Sequence, residues 1–155
     1  MKPSSLLKFS RVPPAWIFPS VLLAWLLGKY VPVFVWLPTP WNYLAAAVVW
    51  FAALALTGAA ARELARNKTS LYPNGESTTL VTSGLYRYTR NPMYVGMSML
   101  VLGAALFTGA VSALLGVVLF CGAIQQLFII PEEQRMLGWF GDDYQAYCKK
   151  VRRWV

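Results

Sequence analysis

MYVGMSMLVLGAALFTGAVSALLGVVLFCGAIQQLFII, residues 93–130, is a run of 38 residues without a charge, and the way it folds decides the architecture of the chain. As one straight helix rising about 1.5 Å per residue, it would be nearly twice the roughly 30 Å thickness of a bilayer's hydrocarbon. It must turn back on itself. Thr108-Gly109-Ala110 is the best reversal point, giving a hairpin of two spans. Gly96, Gly103 and Ala110 recur every seven residues on one face of that hairpin. Small residues let backbones approach closely where lipid supplies no hydrophobic drive.

Two more apolar runs lie upstream. Residues 16–37 contain one charge, Lys29, and residues 41–61 contain none. Each has the roughly 20 residues that a spanning helix needs. The expected fold is therefore an all-α integral membrane protein with about four transmembrane helices. The composition agrees: of 155 residues 57% are hydrophobic and 13% charged, outside the range of ordinary soluble domains. The apolar region near the N-terminus is too long for a signal peptide and is interrupted by Pro13, Pro14 and Pro19.

The cations set the expected orientation. Lys2, Lys8 and Arg11 precede the first span; Arg62, Arg66, Lys68, Arg87 and Arg90 lie between the second and third; Arg135, Lys149, Lys150, Arg152 and Arg153 follow the fourth. Thirteen of the 14 share one side, which the positive-inside rule makes cytoplasmic, with both termini facing in. The net charge of +8 is thus topological, with anionic membrane lipids as its neighbours. No nucleic-acid-binding module accompanies it.

The polar remainder is a loop from Arg62 to Arg90 and a tail from Pro131. The loop, rich in Gly, Pro, Asn, Ser and Thr, reads as irregular and ordered by its partners. The tail reads as two short helices. Pro131 with Glu132 and Glu133 makes a helix start, Gly141 a stop, and Asp142 with Gln145 a capping box. The chain divides accordingly into residues 1–61, with two spans, and residues 62–155, carrying the chemistry. Histidine is absent, which removes His-based triads, common zinc-hydrolase sites and His-ligated haem. No metal site is expected. Cys121 and Cys148 do not define a disulfide framework.

Just before the hairpin stands YRYTRNPMYVG, residues 86–96. In a purely structural reading, Asn91 is an N-cap, Pro92 the first helical residue, Arg87 and Arg90 membrane anchors, and Tyr86, Tyr88 and Tyr94 an aromatic belt. Two adjacent carboxylates at the mouth of a span, Glu132 and Glu133, are harder to explain that way.

The segment LVTSGLYRYTRNPMYVG, the apolar hairpin and then PEEQRMLGWFGDDYQAYCKKVRRW together resemble the isoprenylcysteine carboxyl methyltransferase and phospholipid methyltransferase superfamily of membrane enzymes. There, G-x-Y-R-x-x-R-[HN]-P-x-Y-x-G opens one arm of a helical hairpin and a glutamate pair follows the other. Asn91 takes the position at which many members carry histidine. The resemblance covers roughly residues 67–155 and implies an S-adenosylmethionine-dependent methyltransferase acting on a lipophilic acceptor, such as an isoprenylcysteine carboxylate or a phospholipid amine.

Carried over position by position, the resemblance places Tyr86, Asn91, Pro92, Tyr94, Gly96 and Glu132 at the cofactor. Glu132 suits its ammonium or ribose diol, Arg87 or the helix N-terminus its carboxylate, and Tyr94 its sulfonium. Arg90 and Arg153 are candidates to orient an acceptor carboxylate, and Glu133 or a tyrosine to deprotonate an acceptor amine. The acceptor itself stays open. So does a non-enzymatic alternative, a four-span transporter or lipid-binding scaffold. A chain that is little more than the catalytic half with two added spans suggests a prokaryotic inner membrane.

Overall fold

A computed structural model describes residues 12–67 and 79–155. The described residues form helices and turns, with only isolated bridges between extended residues. A short 3-10 turn (Pro13–Trp16) leads into α1 (Ile17–Tyr30); α2 is Trp41–Arg66, α3 Pro92–Thr108, α4 Leu114–Ile124 and α5 Ile130–Lys150. A π-helical turn, Gln125–Ile129, joins α4 to α5 without a break. Two stretches, Trp41–Arg66 and Val111–Lys150, are long and apolar enough to cross a membrane.

The hairpin turns at the expected point. α3 ends at Thr108, and Gly109 adopts φ +70°, where a Cβ would lie 2.3 Å from the carbonyl oxygen of Leu37. Both the left-handed backbone and the close approach call for glycine. Gly96 and Gly103 face α2. A Cβ on Gly96 would meet Thr57 Oγ1 at 2.1 Å, and one on Gly103 would meet the Trp50 indole at 2.2 Å. α2 supplies a matching seam of buried alanines, Ala46, Ala53 and Ala60, also seven apart. The Trp50 indole N–H donates to the carbonyl of Leu100 (3.0 Å). α1 lies across α3 and α4, with Gly28 against Thr108 and Gly116 against Ala24.

Three expectations need correction. The first apolar run is helical over only 14 residues, about 21 Å at 1.5 Å per residue, short of a full span. Pro32 disfavours a helical Val31, and Pro38 and Pro40 keep the chain from resuming helix before Trp41. Residues 31–40 instead run extended beside the hairpin turn, the Trp36 N–H donating to Gly109 (3.0 Å) and the Val111 N–H to Phe34 (2.9 Å).

Second, α2 continues past Ala61 to Arg66, because Ala, Arg, Glu and Leu are strong helix formers whatever their charge. It ends at Asn67, whose side chain donates to the Glu63 carbonyl (2.8 Å). Beyond it, Lys68 and residues up to 78 of the expected irregular loop lie outside the described residues, as do Lys2, Lys8 and Arg11. In the part that is described, Val81 and Tyr86 pack on Ala60.

Third, Pro131 does not start a helix. Lacking an N–H, and with a ring that crowds the carbonyl four residues back, a proline inside a helix needs local relief. The preceding π turn, in which the Ile130 N–H reaches the carbonyl of Gln125, widens the helix there. The last span and tail are therefore one rod. Its break comes at Gly141 (φ 50°, ψ −121°), where the tail was expected to divide into two helices.

Candidate active site at the charged end

At one end of the bundle, α2 finishes, α3 begins and the rod emerges from its apolar stretch at Ile130. Pro92 opens α3 as its first helical residue, but Asn91 caps nothing with its side chain. The chain's last residues return across this end instead. The Arg90 N–H donates to the carbonyl of Arg152 (2.9 Å), and Thr89 Oγ1 and Asn91 Nδ2 donate to that of Arg153 (3.2 and 3.0 Å). The Trp154 indole N–H then reaches Gln125 Oε1 in the π turn (2.8 Å). Asn91 is thus a clamp on the tail.

The two glutamates, about 100° apart around the helix, meet different partners. Glu132 turns to α3, where Tyr94 Oη donates to its Oε2 (2.9 Å). Burial raises its carboxyl pKa above the ordinary range, although the Tyr94 hydroxyl and Arg135 favour the anion. Glu133 turns to the tail. Arg90 Nη2 donates to its Oε1 (2.8 Å), and Arg153 binds it in a fork, Nε to Oε1 (3.0 Å) and Nη2 to Oε2 (2.7 Å). Burial alone would raise this carboxyl, but the hydrogen bonds from Arg153 and Arg90 outweigh it and hold Glu133 below the usual range. The bond with Glu133 in turn raises the pKa of Arg153.

Two cavities flank this ion cluster. A small one of about 70 Å³ is lined by Tyr86, Asn91, Glu132, Met136, Tyr147 and neighbours; Arg90, Glu133 and Tyr144 wall both it and an open cleft of about 500 Å³. The cleft adds Ile130, Leu137, Cys148, Lys149 and Arg153, an apolar side and a cationic side. Arg90 Nη1 also donates to the carbonyls of Cys148 and Val151 (both 3.1 Å), while its Nε is buried with no hydrogen-bond partner among the described residues.

Of the residues singled out from sequence, Tyr86, Arg90, Asn91, Glu132, Glu133 and Arg153 line one or both cavities, and Tyr94 joins through its bond to Glu132. Three stand elsewhere. Arg87 is exposed, its guanidinium over the Tyr88 ring (4.8 Å) and bonded to that hydroxyl (2.6 Å). Gly96 faces Thr57, and Pro92 is buried at the start of α3.

Sequence reading missed Tyr144 and Tyr147. Their spacing of three puts both on one helix face, a signal present in the Y-x-x-Y of the tail. Tyr147 donates its hydroxyl to the carbonyl of Tyr86. Burial raises the pKa of Tyr86, Tyr144 and Tyr147, so all three are neutral phenols at pH 7.

The residues fit S-adenosylmethionine chemically. Its ammonium wants a carboxylate, offered by Glu132; its carboxylate wants a cation, offered by Arg90 in the shared wall; its adenine wants aromatic surface, offered by the tyrosines. A pocket for such a ligand is on the order of 300–1,000 Å³, more than the small cavity of about 70 Å³ offers by itself. Among the described residues no cluster of metal-binding side chains occurs.

A sequence profile of the family described as phospholipid methyltransferase matches residues 41–143. The protein-S-isoprenylcysteine O-methyltransferase of Schizosaccharomyces pombe is 35% identical over 72 residues, 46% of this chain and 30% of that protein. The match thus spans about a third of that relative's length. No solved structure matches the chain.

Proposed function

Because the chain belongs to the phospholipid methyltransferase family, we propose that it transfers a methyl group from S-adenosylmethionine to a lipophilic acceptor, of the isoprenylcysteine carboxylate or phospholipid amine kind, at the charged end of its helices. The observation that carries this is the shared wall. Arg90, Glu133 and Tyr144 separate a small cavity lined by the half-buried Glu132 from an open cleft that begins where the apolar helix ends, at Ile130.

When bound, the cofactor supplies an activated methyl group on a sulfonium leaving group. Glu132, oriented by Tyr94, takes its ammonium or ribose diol. Arg90 takes its carboxylate. The acceptor's headgroup lies in the cleft with its chain along Ile130 and Leu137 toward the bilayer. Methyl transfer is an in-line displacement that gains most from fixed geometry and little water, and the lock of Arg90, Glu133 and Arg153 supplies rigidity.

That lock also redistributes the roles expected from sequence. Glu133, with both oxygens taken by guanidinium groups and its pKa depressed, is a poor base. Its task is to hold Arg90 and Arg153 in place. An anionic acceptor would meet the net positive charge of Arg90, Arg153 and Lys149 against Glu133. An amine acceptor would enter the cleft as the free base, its proton left with bulk solvent. The residues 62–155 carry this chemistry, and residues 1–61 serve as its membrane scaffold.

Transport is the weaker reading, since charges within spans mark a pathway and the apolar runs hold only Lys29. It sits against the rings of Trp25 (4.6 Å) and Tyr30 (5.3 Å). Titration of the purified protein in lipid nanodiscs with S-adenosylmethionine, followed by transfer of labelled methyl to extracted lipids, tests the proposal. Binding with transfer to a lipid fraction is expected; absence of binding would overturn it.

A further inference from the structure

The connection between α1 and α2, VPVFVWLPTP at residues 31–40, has no charge and points its apolar side chains outward. Val33 is 77% exposed, Phe34 63% and Val35 56%. Connections in water are usually polar, with their backbone groups solvated. Here the backbone is engaged inward. Trp36 and Leu37 N–H groups donate to Gly109 (3.0 and 3.4 Å), Phe34 accepts from the Val111 N–H (2.9 Å), and the Asn42 N–H donates to Pro38 (3.2 Å). Asn42 Nδ2 adds a bond to the Phe107 carbonyl (2.7 Å). The segment is thus pinned to the hairpin turn at Phe34, Trp36 and Leu37, with its apolar side chains facing out.

Its depth can be read from α2. The 21 apolar residues from Trp41 to Ala61 rise about 31 Å, matching the hydrocarbon thickness of about 30 Å, so Trp41 marks one boundary and Arg62 the other. The bonds to Gly109 and Phe107 put the connection at the level of Trp41. Around that level stand exposed Tyr30, Phe34, Trp36, Trp41 and Tyr43, the aromatic make-up of a membrane interface. The exposed apolar surface continues onto α2 through Val48, Phe51 and Leu54.

We infer that residues 31–43 form an in-plane lipid-binding segment, seated at the acyl–headgroup boundary of the leaflet opposite the charged end. The occupant is lipid. Apolar side chains facing out beside a backbone partly bonded to protein suit that boundary, where headgroups can solvate the remaining backbone groups, and the short α1 is completed by a segment lying at that level.

The test places a nitroxide at Phe34→Cys, and separately at Val33→Cys, in the full chain with Cys121 and Cys148 replaced by alanine, reconstituted in nanodiscs. Asp143→Cys, on the exposed tail, serves as the aqueous reference. Collision with oxygen and with a water-soluble nickel chelate is then measured. At residues 33 and 34 the expected result is high oxygen and low nickel accessibility, the nickel value at least about tenfold below that of residue 143. High nickel accessibility at either site would make the segment an aqueous loop and overturn the inference. Low accessibility to both reagents would mean a protein covers it, a second copy or another chain, and would overturn it equally.

Discussion

Replacing Glu132 by Gln and Tyr94 by Phe, singly and together, separates a cofactor site from a helix terminus. Tyr94 Oη donates to Glu132 Oε2 at 2.9 Å, and the carboxylate is buried enough that its pKa is raised. A charge-assisted contact from this carboxylate to a bound ammonium is worth about 1.5 to 3 kcal/mol, so Glu132→Gln should weaken S-adenosylmethionine binding roughly 10- to 150-fold. Tyr94→Phe removes only the group that aims the carboxylate, about 1 kcal/mol or fivefold.

Because that hydroxyl acts through Glu132, the double variant should bind little worse than Glu132→Gln alone, a coupling of about 1 kcal/mol. Calorimetric titration in nanodiscs, with the cofactor and its neutral-sulfur product, reads all four proteins. Stability supplies a second axis. A group whose folded pKa is raised opposes folding once ionised, so the neutral isostere should leave ligand-free thermal stability unchanged or higher. A mere first-turn acid would instead lose about 0.3 to 1 kcal/mol with binding intact. That pattern, or losses that simply add, would refute the arrangement.

Cofactor affinity should rise with pH above the ordinary glutamate range of about 4.3, as Glu132 ionises through its raised pKa, and Glu132→Gln should flatten the profile. Glu133 has the opposite sign: its depressed pKa contributes stability above the ordinary glutamate pKa that is lost as pH falls through the folded value. Acid titration of unfolding should show this loss below about pH 4, and Glu133→Gln should abolish it while lowering stability at pH 7 by about 2 to 3 kcal/mol, since a largely buried pair is broken. Acceptors of increasing alkyl length should gain apparent affinity by up to about fourfold per methylene, about 0.8 kcal/mol, in a methyl-transfer assay; equal turnover of short and long acceptors would exclude entry from the bilayer. Gly96→Ala should destabilise the bundle by about 1 to 3 kcal/mol through its clash with Thr57, and Thr57→Ala should recover part of that loss in thermal unfolding.

Local signals in the sequence were enough for several features. Turn chemistry at Gly109 placed the hairpin, since a left-handed residue against the Leu37 carbonyl admits only glycine. Gly141 placed the break in the tail for a related reason, a positive φ. The grouping of Arg90, Glu132, Glu133 and Arg153 at one end followed from where charge stops and apolar residues begin, because lipid sorts side chains by polarity before any packing is considered. The tertiary structure decided what those groups do. Glu132 and Glu133 are adjacent in sequence, yet one meets Tyr94 on α3 and the other two arginines, Arg90 and Arg153, from segments 63 residues apart. Asn91 reads as a cap and is a clamp, because the carbonyl it finds belongs to Arg153. The π turn and the shortened α1 likewise arise where prolines meet packed neighbours. Periodicity and turn propensity are set by residues a few positions apart; partners brought together by chain reversal between packed helices leave no such trace.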